Sequence, residues 1–201
     1  MREIIAILRG VTPPEIVPIA DALRGAGIDK IEVPLNSPDA FDSIERLARA
    51  HGTGALVGAG TVLSVQDAQR VFDVGGGMVV SPDCNGAVIE RVKALGMVSY
   101  PGVFTPTEAF CALRAGADGL KVFPAFLMGP NGLAALRAVL PEGVKTYAVG
   151  GVDATNFPDW FAVGVSGFGI GSALYKPGAS AADVEVKARA IVAAYDGSID
   201  V

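Results

Sequence analysis

"IEVPLNSP", residues 31–38, joins a nearly continuous apolar run to a Ser-Pro pair. A run of this kind suits a parallel strand covered on both faces, and Ser37-Pro38 suits the start of the helix that covers it. The unit recurs along the chain. Apolar runs beginning near Ile4, Lys30, Ala55, Met78, Met97, Gly119, Lys145 and Gly167 each lead into residues of helical periodicity, giving eight strand–helix units spaced 19 to 26 residues apart. Glycines suited to ending helices precede most strands: Gly27, Gly52, Gly75, Gly96, Gly116, Gly143 and Gly164. Capping or breaking residues follow many strands: Thr12-Pro13, Ser37-Pro38, Ser64, Thr105-Pro106 and Asp153.

Eight such units predict a single (β/α)8 TIM barrel spanning residues 1–201, with a doubly wound open sheet as the alternative. Polar residues stand at the C-terminal ends of strands throughout the chain, and only a closed barrel brings all of those ends to one mouth. With 201 residues and 51% hydrophobic content the chain can bury a full core as one domain. The start "MREIIAILRG" carries Arg2, Glu3 and Arg9 without a cleavage pattern, and no apolar stretch is long enough for a membrane helix, so a cytoplasmic chain is expected. A net charge of −5 argues against a nucleic-acid surface. The single histidine, His51, argues against a histidine-rich metal site, and Cys84 and Cys111 are expected as free thiols.

Alternation along each strand assigns the polar residues to faces. Ile5, Ile7 and Arg9 share one face of the first strand; Glu32, Pro34 and Asn36 share one of the second; the third ends at Thr61; Lys121 and Phe123 lie opposite Leu120 and Val122. Each charged residue has a structural alternative: Arg9 and Glu32 as an ion pair, Thr61 as a helix cap, Lys121 as a rim lysine reaching solvent. Their convergence on one face favours chemistry. A lysine buried among apolar residues loses proton affinity and can attack a carbonyl as a free amine, forming a Schiff base that acts as an electron sink. Glu32 then moves protons, Arg9 grips a carboxylate with paired donors, and Thr61 offers a hydroxyl. Downstream, "AVGGVDATN" (148–156) and "GIGSALY" (169–175) place Gly150, Gly151, Gly171 and Ser172 after the last two strands, where bare backbone amides and a helix start can bind phosphate. Tight turns alone are the other reading of these glycines.

"EVPLNSP", "VGAGTVL", "SPDCN", "YPGVFTPTEA", "LKVFPA", "AVGGV" and "GIGSALY", in this order over nearly the whole chain, resemble the aldolases that cleave 2-keto-3-deoxy-6-phospho sugar acids. The resemblance implies a (β/α)8 barrel, a homotrimer, a Schiff-base lysine at Lys121, an acid/base glutamate at Glu32, and no metal or other cofactor. It implies pyruvate and a phosphorylated sugar acid as small-molecule partners. The gluconate branch carries an arginine a few residues after the glutamate, where this chain has Asn36; the "ILRG" of the galactonate branch supplies Arg9 instead. The gluconate branch also has threonine where this chain has Val149, which shares a face with Tyr147. The galactonate epimer is therefore the expected substrate, with the gluconate epimer and 4-hydroxy-2-oxoglutarate as alternatives. A metal-dependent enzyme and a noncatalytic phosphate-binding barrel are the rivals from other classes.

Overall fold

The computed structural model describes residues 2–199. Strands and helices alternate as β1 (Ile4–Ile7), α1 (Ile16–Gly25), β2 (Lys30–Pro34), α2 (Ala40–His51), β3 (Leu56–Gly60), α3 (Val65–Asp73), β4 (Met78–Val80), α4 (Gly86–Ala94), β5 (Val98–Tyr100), β6 (Gly102–Val103), α5 (Pro106–Arg114), β7 (Leu120–Val122), α6 (Ala125–Arg137), β8 (Thr146–Val149), α7 (Phe157–Phe161), β9 (Gly167–Ile170) and α8 (Ala181–Ile199). The sheet runs β5-β4-β3-β2-β1-β9-β8-β7-β6, and β1 pairs in parallel with both β2 and β9. The expected barrel is present, with one correction: the fifth strand is two. Pro101 has no N–H to give a ladder, so the strand divides there, β5 pairing with β4 and β6 with β7. Carbonyls of Ser99, Pro101 and Val103 accept from the amides of Asp118, Lys121 and Phe123 at 3.1, 2.9 and 3.2 Å, which closes the cylinder across the break.

The expected alternation holds. Ile5, Ile7, Met78, Val80, Tyr100, Tyr147 and Val149 pack inside the barrel with Phe123 at their edge. Ile4, Ala6, Ile31, Val33, Val122 and Ala148 face outward and pack with Ile16, Leu23, Leu47 and Val71 from the helices. At the N-terminal end of the strands the interior is sealed by charge. The Glu3 carboxylate accepts from Lys30 Nζ, from Lys145 Nζ at 2.8 Å and from Tyr147 Oη at 2.6 Å. Burial pushes this carboxyl up, but the hydrogen bonds from Lys145, Lys30 and Tyr147 outweigh it and hold it at about 2. The barrel thus has a charged floor as well as a charged mouth.

Helix ends explain the repeat. Gly27 (φ 92°) follows α1 in the left-handed region, and the next amide, Ile28, returns to Leu23 O at 3.0 Å; the same bond recurs as Gly76 to Val71, Met97 to Val92, Ala117 to Ala112 and Val165 to Trp160. Gly52 departs from this pattern, capping α2 in right-handed helical conformation. Ser64 and Thr105 cap α3 and α5 as expected, Thr105 in a reciprocal box with Glu108. Asn85 adds an unforeseen cap on α4. Ser37 does not cap α2; its hydroxyl accepts from Gly10 N at 2.8 Å and ties two loops of the mouth together. Among the described residues no helix is long and apolar enough to cross a membrane.

Candidate active site

At the C-terminal ends of the strands lies a cavity of about 450 Å³. Nine of the ten residues expected at a site line it: Arg9, Thr61, Lys121, Phe123, Val149, Gly150, Gly151, Gly171 and Ser172. The tenth, Glu32, is buried below the lining at 2% exposure, held against the backbone of β3. β2 places it at the level of Ile7 and Gly58. β7 places Lys121 level with Gly102 and Tyr147, and the side chain is 6% exposed. Its Nζ lies 4.8 Å from the centre of the Phe123 ring, so an aromatic face replaces water on one side.

Burial dominates the electrostatics of both groups. It pushes the Glu32 carboxyl up to about 7, against the opposing pull of the Lys121 and Arg9 charges. It pushes the Lys121 ammonium down; the Glu32 charge opposes this and the Arg9 charge adds to it. Glu32 Oε2 has no hydrogen-bond partner among the described residues. An unpaired acceptor at this depth costs about 1–3 kcal/mol, more for a charge, so the arrangement is one that a bound donor relieves. The pair can supply a free amine and a carboxyl that gains and loses a proton near neutrality.

Arg9 is exposed at the rim, and its guanidinium donates to Asn36 Oδ1. Asn36, after β2, thus orients an arginine that arrives from the loop after β1. Thr61 follows β3 in the left-handed region at φ 57°, a conformation uncommon for a side chain with a branched Cβ; strand alternation alone would turn it outward with Val57 and Ala59, and this turn of the backbone is what brings it to the cavity.

The wall formed by the loops after β8 and β9, next to the loop that carries Arg9, is built from backbone. Gly150 and Gly151 have φ of 96° and 70°, conformations that bare residues adopt without strain. The amides of Gly151, Ser172 and Ala173 find no acceptor among the described residues. The expected helix start after β9 is absent: the amides of Leu174 and Tyr175 both return to Gly171 O at 2.9 Å, forming one turn, and α8 begins only at Ala181. Pro177 and Gly178 end that turn. An anion here therefore meets amides and Lys176 rather than a long helix. Lys176 was not foreseen, although it stands in the same loop as Ser172. Asp153 also lines the cavity, but its carboxylate accepts from Thr155 N at 2.8 Å and Thr155 Oγ1 at 2.6 Å. Arg9 and Lys176 give the mouth two cations beside Lys121 on a chain of net charge −5.

Comparison with known proteins places this sequence and fold in a family. A family model described as "KDPG and KHG aldolase" matches residues 1–188. A "Probable 2-dehydro-3-deoxy-6-phosphogalactonate aldolase" of Rhizobium meliloti (strain 1021) is 53% identical over 195 residues, 97% of this chain and 92% of the relative. A "2-dehydro-3-deoxy-6-phosphogalactonate aldolase" of Escherichia coli (strain K12) is 44% identical over 192 residues, 96% and 94% of the two chains. The solved "Native KDPGal structure" superposes with a TM-score of 0.97 at 42% identity, covering 98% of this chain and 96% of that one. By sequence, fold and the extent of both matches, this chain is an aldolase and belongs to the KDPG and KHG aldolase family.

Proposed function

We propose that the chain cleaves 2-dehydro-3-deoxy-6-phospho-D-galactonate to pyruvate and D-glyceraldehyde 3-phosphate through a Schiff base on Lys121. The observation that carries this reading is the juxtaposition of a desolvated Lys121 with a buried Glu32 whose Oε2 lacks a partner among the described residues, beneath a cavity lined by Arg9, Lys176 and bare amides. Lys121 Nζ attacks the C2 ketone, and loss of water gives an iminium. Glu32 takes the proton of the C4 hydroxyl as the C3–C4 bond breaks, and the bonding electrons pass into the iminium as an enamine. The aldehyde leaves, the enamine takes a proton at C3, and water releases pyruvate and the free amine. Arg9 and Thr61 bind the carboxylate end. Gly150, Gly151, Gly171 and Ser172, with Lys176 beside them, bind the phosphate.

The choice of epimer rests on Val149. Substrates epimeric at C4 differ only in where the hydroxyl that must lose its proton points, and Val149 lines the cavity between Lys121 and the phosphate loop. A threonine there holds one orientation by a hydrogen bond; valine does not reward it, so preference rather than exclusion is expected. Pyruvate release from both epimers, measured for wild type and Val149→Thr, tests this. Wild type favours the galactonate epimer, and the variant moves the ratio of kcat/KM toward the gluconate epimer by about tenfold, the scale of one hydrogen bond. An unchanged ratio removes Val149 from specificity.

The active form in this reading is a homotrimer in the cytoplasm. Phe104, Phe126 and Leu127 supply exposed apolar surface for such contacts. Sedimentation of the purified chain at three times its 20.5 kDa mass supports the trimer, and a monomeric mass contradicts it.

A further inference from the structure

β3 runs beside Glu32, and at the height of the carboxyl it presents a residue without a side chain. A Cβ on Gly60 would lie 1.9 Å from Glu32 Oε2, 2.3 Å from Cδ and 2.4 Å from Oε1. Gly60 is not in the left-handed region, so its backbone does not itself demand glycine. What demands it is the volume, since the carboxyl already fills the space a Cβ needs. The register adds a direction. Glu32 pairs with Gly58 and Pro34 with Gly60, so the Glu32 side chain leans one interior step toward the mouth before its carboxyl settles over Gly60. The next residue, Thr61, turns out of the strand and lines the cavity.

We propose that Gly60 is a positioning residue for the reaction: its missing side chain is the slot that holds the Glu32 carboxyl flat against β3, shielded from water and aimed at the mouth beside Lys121. The inference rests on Glu32 as the proton carrier, and it gives Gly60 a function that acts through that carboxyl alone. Filling the slot drives the carboxyl out toward the cavity. Misplacement of a reacting group by about 1 Å costs on the order of 10²-fold in rate.

The experiment is a double-mutant cycle of Gly60→Ala with Glu32→Asp, which shortens the acid by one methylene and vacates the slot. Gly60→Ala in the wild-type background lowers kcat by about 10²-fold with a smaller change in KM. The displaced carboxyl, still facing Lys121 and Arg9, is better solvated, and the acidic limb of the kcat profile moves to lower pH. In the Glu32→Asp background the same alanine costs less than about threefold. An equal cost in both backgrounds, or an unchanged kcat and pH profile, overturns the proposal. Should Gly60→Ala alone fail to fold, a folded double variant supports it, and a double variant that also fails places the clash elsewhere and overturns it. If Glu32→Gln turns over at the wild-type rate, the proton role of Glu32 falls; the compensation is then still read in melting temperatures, which separates the two failures.

Discussion

Lys121→Met abolishes cleavage, lowering turnover by at least about 10⁴-fold, as removal of a covalent nucleophile does in enzymes whose site groups act as a unit. Methionine keeps the length and the apolar stem, so the contact with the Phe123 ring and the packing inside the barrel persist. The fold survives because the native ammonium is held against the desolvation of its site. Lys121→Arg fails equally, since a guanidinium stays protonated and offers no nucleophile. Steady-state turnover and circular dichroism of both variants check this. Turnover within tenfold of wild type in either variant contradicts a Schiff base on Lys121.

Glu32→Gln lowers turnover by about 10²–10⁴-fold, the range of general acid–base catalysis, and at the same time stabilises the protein above neutral pH. The second effect follows from the first group's burial. Its carboxyl titrates near 7 folded against 4.5 in the reference state. A raised acid contributes stability that is full below 4.5 and is lost as pH rises through about 7. Ionising the native Glu32 therefore costs about 3 kcal/mol, which the amide avoids. The variant melts higher than wild type at pH 8, and the difference shrinks toward zero as pH falls to 5. A glutamate with a purely structural role gives the reverse pattern, with lost stability and retained turnover.

The eight-unit rhythm was readable because each parallel strand is apolar on both faces and each helix ends in a cap with strong residue preferences. Lys121, Glu32 and Arg9 were readable for a related reason: strand parity is a local property, and polar groups of inward parity at strand ends meet only at a barrel mouth. Thr61 was not: Gly58 and Gly60 face inward, so Thr61 has the outward parity of Val57 and Ala59 and reaches the mouth only because its backbone turns into the left-handed region. The break at Pro101 also had a local cause, a residue that cannot donate to a ladder, but apolar content on both sides of it masked the division. Features that depend on reach between elements were not readable. The floor joins Lys30 on β2 to Tyr147 on β8 through Glu3, just before β1. The slot at Gly60 exists only because a side chain on β2 leans over it. Lys176 enters the site because Gly171 closes a single turn where a helix was expected.

Incubation with pyruvate and sodium borohydride tests the central claim most directly. Reduction fixes the iminium as a secondary amine, so the enzyme loses activity and gains the mass of one reduced pyruvate per chain, located by peptide mass spectrometry on Lys121. Full activity after treatment, or label on Lys30, Lys145 or Lys176 with Lys121 unmodified, contradicts it.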